Sequence, residues 1–353
     1  MIGFVLREWL LLASGAGLLL TSLYVGRPPD FSPQELEVLV LLFALFVAVA
    51  GLRRSGLLAV LSRRVQAGRG VALRLVLATF FLSMLLTNDV VLVMVVPLTL
   101  AMDVGRKDLL VILEALAANA GSALTPLGNP QNLFIYWFYD VPALQFMAAI
   151  APFSLAFLLL LAAAALALRV RGPAQAAPVP EVTAVAAGVH GALLLVVLLV
   201  VLHLLPLWTL LPVGIVAVLV DRGALRVDYA LLASFLFFFG LSDNLRVLLA
   251  AQIAHPDHLF LLSALASQVI SNVPAALLLA KFSTHWDALL WGTSAGGFGS
   301  LFGSLANLIA YRLYVNHGAT AATGVFTLKF LGMGYVAFFI AVGLYFLLYG
   351  GTA

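Results

Sequence analysis

The sequence has no cysteine among its 353 residues and few charged residues of either sign. Without cysteine, the chain has no disulfide, no thiolate nucleophile and no cysteine-based metal site. Only 9% of its residues are charged, whereas soluble domains carry about 25%. Hydrophobic residues make up 64% of the chain, and the mean hydropathy is +1.14. This balance excludes an ordinary soluble domain and predicts an all-α polytopic membrane protein.

Histidine and the basic residues give little sign of metal or nucleic-acid chemistry. The six His residues include no His-x₃-His pair, so we expect no metal centre. The sequence pI is about 9.3, but Lys and Arg are scattered between apolar runs. We therefore interpret them as signals of membrane topology and expect no nucleic-acid partner.

Two polar interruptions divide long apolar runs, and each has a counterpart near the C-terminus. LLTNDVV occupies residues 85–91, and NAGSALTPLGNPQN occupies residues 119–132. Their counterparts are SNVP at residues 271–274 and GGFGSLFGSLAN at residues 296–307. Lipid cannot hydrogen-bond an open backbone group, so such breaks are tolerated only where protein or a water-filled cavity satisfies them. In transporters, paired breaks of this kind mark the binding site.

The positions of the breaks predict two re-entrant hairpins and two broken helices. Residues 71–104 and 257–282 form the hairpins, because each arm is shorter than the roughly 20 residues that cross a membrane. Residues 108–140 and 287–314 form the broken helices. Further crossings are predicted at residues 4–24, 35–52, 143–170, 189–205, 208–220, 229–241 and 324–349, which gives about 9 full crossings.

The two halves of the chain are predicted to be inverted repeats. The first repeat covers residues 1–170, a linker rich in Pro and Ala covers residues 171–184, and the second repeat covers residues 185–353. Gly, Asn and Leu recur at the same spacing in residues 128–133 and 303–308.

The basic residues orient this arrangement in the membrane. Residues 53–70 alternate arginines with apolar residues, which predicts an amphipathic helix lying in the interface, with a charged loop as the alternative. Most Lys and Arg residues fall on one side of the predicted crossings. By the positive-inside rule, the N-terminus is then cytoplasmic and the C-terminus lies outside.

The breaks also predict the chemistry of a site. Each begins a half-helix, whose free N–H groups and positive dipole end suit an anion or the oxygen of a polar solute. Backbone carbonyls freed at residues 121–125 and 296–300 suit Na⁺. The candidate substrate-binding residues are Thr87, Asn88, Asn129, Asn132, Ser271, Asn272, Ser304 and Asn307. The candidate ion-coupling residues are Asp89, Asn119, Gly121, Ser122, Thr125, Gly297 and Ser300.

Asp89 is the most informative single residue. A carboxylate near the bilayer centre costs about 2.5–3.5 kcal/mol on insertion scales, so it usually pairs or faces a cavity. Asp89 could carry a proton, ligate a cation or simply cap the helix that follows it. Glu114 is the second such candidate, and an ion pair with Arg74 or Lys329 is its structural alternative. The Asp243-Asn244 pair is interpreted as a helix cap.

Three segments resemble one transporter superfamily. LLTNDVVLVMVVPL at residues 85–98, ANAGSALTPLGNPQNLFIY at residues 118–136 and ISNVPAALL at residues 270–278 are similar to the ion transporter superfamily. They are most similar to its small YbiR-type anion permeases, which are related to divalent-anion/sodium symporters and arsenite permeases. In the dicarboxylate branch, Ser-Asn-Thr at both tips holds a substrate carboxylate and Na⁺. Asp89 and Val273 depart from that pattern here.

The resemblance implies a mechanism and an assembly. A transport domain of hairpins and broken helices would slide against a scaffold of the remaining helices, as an elevator. A homodimer is also implied.

The predicted function is secondary active transport of a small anion or oxyanion, carboxylate or arsenite-like, coupled to Na⁺ or H⁺. The alternative is a cation/proton antiporter that uses Asp89 and Glu114. A passive channel and an intramembrane hydrolase at Gly299-Ser300 or Gly303-Ser304 are weaker alternatives. The hydrolase is weaker because no histidine base is predicted near the bilayer centre. We expect no enzyme activity and no cofactor beyond the coupling ion. The predicted location is the inner (plasma) membrane.

Overall fold

A computed structural model describes residues 8–57, 60, 70–168, 170, 182–249, 253, 255–317 and 323–350. All regular elements in these ranges are helices. Most of the predicted interfacial helix at residues 53–70 and of the linker at residues 171–184 lies outside the described residues.

Fifteen α-helices run through the described chain. They are α1 (Trp9–Val25), α2 (Pro33–Arg54), α3 (Val71–Leu85), α4 (Asn88–Ala101), α5 (Lys107–Ala123), α6 (Pro130–Phe138), α7 (Ala143–Ala167), α8 (Ala184–Val201), α9 (Leu211–Val220), α10 (Tyr229–Leu249), α11 (Pro256–Ile270), α12 (Asn272–Leu279), α13 (Trp286–Gly296), α14 (Leu305–Val315) and α15 (Thr323–Tyr349). All four predicted interruptions are present as gaps between helices: α3/α4, α5/α6, α11/α12 and α13/α14.

Five of the described helices are long and apolar enough to cross a membrane unaided. They are α2, α7, α8, α10 with the short turn before it, and α15. The predicted crossing at residues 208–220 is instead a 3₁₀ turn followed by α9, which has 10 residues. At 1.5 Å per residue, α9 reaches only about 15 Å. The protein is therefore a polytopic helical membrane protein in which several helices are shorter than the bilayer.

The gap between α3 and α4 is the tip of a helical hairpin. Near the end of α3, the backbone of Phe80 packs against Gly121, close to the end of α5, so α3 and α5 run in the same direction. At the end of α4, Leu100 O accepts a hydrogen bond from Nζ of Lys107, the first residue of α5. The chain thus turns back on itself at the extended residues Leu86 and Thr87.

The gap between α11 and α12 is the tip of a second hairpin. Ser267, near the end of α11, packs against Gly296 at the end of α13, so these two helices are parallel. After α12, Phe282 O accepts a 2.8 Å hydrogen bond from the N–H of Ile253, just before α11 begins. The second hairpin therefore returns to its own starting level.

The prediction that Asp243-Asn244 caps a helix is wrong. Both residues lie inside α10, which continues to Leu249, well beyond the predicted end at residue 241. Their side chains instead hold the end of α1 and the turn after it. Asp243 accepts from Arg27 at 2.9 Å, and the Asn244 amide donates to Thr21 and Ser22. Asp243 and Asn244 therefore bond a distant part of the chain and not the backbone of their own helix, and α10 continues through them.

Candidate functional site

The first residues of α4, α6, α12 and α14 meet around one cavity of about 50 Å³. A buried water needs roughly 10–15 Å³ on this scale, so the space suits a small solute or a few waters. α10 closes one wall of the cavity. The lining residues from the four helix starts are Asn88, Asp89, Asn129, Pro130, Ser271, Asn272, Val273, Pro274, Ser304 and Leu305.

Each hairpin tip is fastened to a broken helix by the same backbone contact. The N–H of Asn88 donates to Gly128 O at 3.1 Å, and the N–H of Asn272 donates to Gly303 O at 3.0 Å. Both glycines are required by the close approach of backbone. A Cβ would lie 2.3 Å from a backbone oxygen at Gly128 and 2.5 Å from one at Gly303.

The asparagines at the two tips cap their own helices in the same way. Asn88 Oδ1 accepts from the N–H of Asp89 at 2.9 Å, and Asn272 Oδ1 accepts from the N–H of Val273 at 3.0 Å. Their amide nitrogens differ. The Asn88 amide donates to Asn119 Oδ1 at 3.1 Å, whereas within the described chain the Asn272 amide donates no hydrogen bond. The Asn272 amide nitrogen lies beside Gly297, 3.1 Å from the position that a Cβ of that residue would take.

Asn119 connects the two halves of the chain directly behind the cavity. Its amide donates to Asn307 Oδ1 at 2.9 Å and to Gly297 O at 3.3 Å. Together with the bond from Asn88, this gives a continuous series of amides from the first hairpin to α14. Asn119 therefore positions the cavity wall, and its polar atoms are occupied.

Two predicted substrate residues lie behind the cavity wall. Asn132 is fully buried, and its amide donates to the carbonyls of Ser122, Ala123 and Thr125 at 2.9, 3.0 and 3.0 Å. Asn307 is also buried, and its amide donates to two carbonyls of the matching loop, those of Gly297 and Ser300, at 2.9 and 3.0 Å. Five of the carbonyls that the sequence assigns to Na⁺ thus accept hydrogen bonds from these two side chains.

Asn129, Ser271 and Ser304 remain at the cavity surface. Asn129 precedes α6 in an extended conformation, and its side chain makes no capping hydrogen bond. Ser304 caps α14 by accepting from the N–H of Ala306 at 3.2 Å. Ser271 has φ +77° and ψ 154°, a conformation that strains a residue with a Cβ. Strain of this kind persists where the surrounding structure fixes the chain, and here it lies at the tip of the second hairpin.

The remaining predicted ion-coupling residues support the loop between α5 and α6. Ser122 Oγ donates to Asn119 O at 3.1 Å, and Thr125 Oγ1 donates to Met84 O. Gly121 allows the close approach of the Phe80 backbone. These contacts tie the loop to the first hairpin.

Asp89 lies where the central cavity meets a second cavity of about 300 Å³. Thr87 lines this second cavity together with Arg53, Arg226 and Asp228. Asp89 Oδ1 is buried, and no hydrogen bond to it occurs in the described ranges. A buried carboxylate oxygen without a donor favours a proton or a cation.

Glu114 does not share this environment. It is fully buried between α4 and α5, and its Oε1 accepts from Thr99 Oγ1 at 2.5 Å. Thr99 lies ten residues along α4 from Asp89, which is about 15 Å. Lys329, one of its predicted partners, pairs instead with Asp108 at 2.5 Å. Asp89 and Glu114 thus lie in different surroundings.

A third cavity, of about 620 Å³, lies at the far ends of α6, α10 and α12. Two of its charged side chains are already paired: Lys281 with Glu35 at 2.9 Å and Asp243 with Arg27 at 2.9 Å. Tyr139, just after α6, joins the ends of α6 and α12, because its hydroxyl donates to two carbonyls that follow α12. This cavity is thus separate from the convergent helix starts.

No signal in the sequence indicates the wall that α10 contributes. In a helix that is apolar all round, hydrophobic periodicity does not distinguish the face that lines a cavity from the face that meets lipid. This wall consists of Leu231, Ser234, Phe235 and Phe238, and Leu10 of α1 lies beside it.

The chain matches known transporters over most of its length. The family described as citrate transporter matches residues 2–296. An uncharacterised transporter of Methanocaldococcus jannaschii, MJ0456, is 33% identical over 321 residues, covering 84% of this chain and 86% of the relative. The inner membrane protein YbiR of Escherichia coli is 36% identical over 327 residues, covering 86% of each chain.

A more distant relative matches only part of the chain. The silicon efflux transporter LSI3 of Oryza sativa is 33% identical over 150 residues, covering 40% of this chain and 31% of the relative. The relatives are transporters and not enzymes, in agreement with the prediction from sequence. The predicted resemblance is confirmed: the chain belongs to the citrate transporter family of the ion transporter superfamily, as a YbiR-type permease.

Proposed function

We propose that the protein is a secondary active transporter that binds a small anion or oxyanion, carboxylate or arsenite-like, in the central cavity. One observation carries this proposal: four helix starts from both halves of the chain line a single cavity. Helix starts carry a positive dipole end, which favours negative charge or a polar oxygen. Asn272, whose amide nitrogen donates to no described residue, lines the same cavity.

The size and charge of the cavity narrow the solute class. Among the described residues that line it, Asp89 is the only one with a charged side chain. A multiply charged anion would meet this carboxylate without a Lys or Arg to offset it, so a monoanion or a neutral oxyacid fits better. The volume of about 50 Å³ also favours a solute smaller than citrate. The silicon efflux activity in the name of one relative is compatible with a small oxygen-bearing solute.

We further propose that residues 1–170 and 185–353 are inverted repeats joined by a linker at 171–184. In support, both halves have a hairpin followed by a broken helix, and their tips make the same contact to Gly128 and Gly303. The second half of each broken helix packs on the hairpin of the other half: α14 on α4, and α6 on α12. Such an arrangement is expected when two copies enter from opposite sides.

The proposed mechanism is an elevator coupled to Na⁺ or H⁺. The hairpins and broken helices would move with the solute against a scaffold of the other helices, and Asp89 would carry the coupling charge. We place the protein in the inner membrane as a homodimer with the N-terminus in the cytoplasm. The family resemblance and the distribution of Lys and Arg support these assignments.

A thermal-shift screen of the purified protein against oxyanions and carboxylates tests the proposed site, because a ligand that binds only the folded state raises its melting temperature. We expect a concentration-dependent shift with a small monoanion or oxyacid, and none with citrate. The same solute should exchange across proteoliposome membranes. An Asn272→Ala variant that keeps the full shift would reject the site.

A further inference from the structure

The two loops inside the broken helices are closed by side-chain amides. In the first loop, Asn132 lies one turn into α6, and its amide nitrogen reaches back to three carbonyls at 2.9–3.0 Å. An amide nitrogen has two hydrogens, so three acceptors within 3.0 Å saturate it. The geometry resembles that of a small cation surrounded by carbonyl oxygens.

The second loop repeats this arrangement with one change. Asn307 occupies the matching position in α14, and its amide donates to the carbonyls of Gly297 and Ser300. Its own oxygen accepts from the Asn119 amide at 2.9 Å. Asn307 has 2% of its surface exposed and Asn132 has none, so neither side chain has water as an alternative partner.

Na⁺ does not fit loops that are closed in this way. A cation needs several oxygen ligands and no N–H groups directed at it. Entry of Na⁺ would expel each amide from its carbonyls and leave buried N–H groups without acceptors, which is unfavourable.

We infer that Asn132 and Asn307 substitute for bound sodium at the two loops, so that the carrier binds solute and moves it without Na⁺. This inference rests on the proposed transport function and assigns its coupling away from sodium. Fixed amides hold the starts of α6 and α14 open towards the cavity throughout the cycle. They are positioning residues, since neither touches the solute.

The first test compares the melting temperature of the wild type in NaCl and in choline chloride at equal ionic strength. We expect the same value in both salts, without solute. We also expect the same solute-induced shift in both. A saturable rise with Na⁺, or a solute shift that needs Na⁺, would overturn the inference. A solute shift that is absent in both salts would instead count against the proposed function, so the two failures are distinguishable.

The second test uses Asn132→Asp and Asn307→Asp. Each variant replaces the donor by a carboxylate that faces the same carbonyls, an oxygen-only cage that a cation can fill. We expect both to melt at a lower temperature in choline, and to regain at least half of the loss in NaCl. Asn316→Asp, at an exposed position after α14, is the control and should respond to neither salt. If NaCl raises the melting temperatures of Asn132→Asp and Asn307→Asp no more than that of Asn316→Asp, the inference that the amides substitute for sodium is overturned. If a variant does not fold, the comparison of the wild type in the two salts still tests the inference.

Discussion

The amide of Asn88 donates to Asn119 at 3.1 Å, whereas the amide of its counterpart Asn272 has no acceptor among the described residues. Two hairpin tips that make the same backbone contact to a broken helix thus differ in the partner of their side-chain amide. The first tip is bonded to the wall behind the cavity, whereas the amide nitrogen of the second lies beside Gly297. Solute binding should therefore depend more directly on the second tip.

Alanine substitution separates these two roles. Asn272→Ala should abolish solute uptake in proteoliposomes and lower the melting temperature slightly, because it loses the bond from the N–H of Val273 to its oxygen. Asn88→Ala should also abolish uptake, and should lower the free energy of unfolding by about 1 kcal/mol more than Asn272→Ala does, because it loses both the equivalent cap and the bond to Asn119. Asn316→Ala, at the surface, should change neither quantity. Normal uptake in both tip variants would show that the tips do not form the site.

The glycines that receive the tips should not accept a side chain. Gly128→Ala and Gly303→Ala place a methyl group within 2.5 Å of a backbone oxygen of the same broken helix, so the loop that accepts the tip must shift. We expect both variants to lose the solute-induced thermal shift and to express at reduced levels. Gly188→Ala is the matched control, since no atom lies within 4 Å of the added methyl group. In a helix this change should stabilise by up to about 1 kcal/mol. Wild-type behaviour of the Gly128 and Gly303 variants would contradict the close approach.

The wall contributed by α10 should set the upper limit of solute size. Phe235 lines the cavity and is 1% exposed. Phe235→Ala should enlarge the cavity and allow dicarboxylates or citrate to raise the melting temperature. The variant itself should be less stable, because Phe→Ala in a core costs about 3–5 kcal/mol. Phe153→Ala, buried between α7 and α13, provides a control for that loss and should keep the original solute preference. An unchanged preference in Phe235→Ala would remove α10 from the site.

Asp89 should decide the coupling of transport and not the binding of solute. Asp89→Asn keeps the shape of the side chain and removes its charge and its proton site. We expect solute exchange between equal pools to continue, while accumulation driven by a pH gradient is lost. If the variant changes only the melting temperature and still accumulates solute, Asp89 is a helix cap.

The sequence predicted the breaks well because they depend on local chemistry. Proline, glycine and asparagine within an apolar run cannot continue a membrane helix without satisfying the freed backbone groups. The sequences of residues 85–91 and 296–307 were therefore sufficient to predict the gaps between α3 and α4 and between α13 and α14. By the same reasoning, Asn88 and Asn272 were correctly expected at the helix starts.

What the sequence could not show depends on partners that are distant in the chain. Asp243 is a residue type that is common at helix caps, but its partner Arg27 follows the end of α1. Asn132 and Asn307 are of a residue type that often binds solutes. The loop carbonyls to which they donate become their neighbours only in the folded chain. Phe235 shows no feature in sequence that separates a cavity wall from a lipid-facing side chain.

Protection of a single cysteine tests the central site most directly, because the natural chain has none. Ser271→Cys places a thiol in the central cavity, and Ser283→Cys places one in the separate large cavity. A solute that raises the melting temperature should slow modification of Ser271→Cys by a small thiosulfonate reagent and leave Ser283→Cys unaffected. Equal modification rates at Ser271→Cys with and without that solute would contradict a binding site formed by the four helix starts.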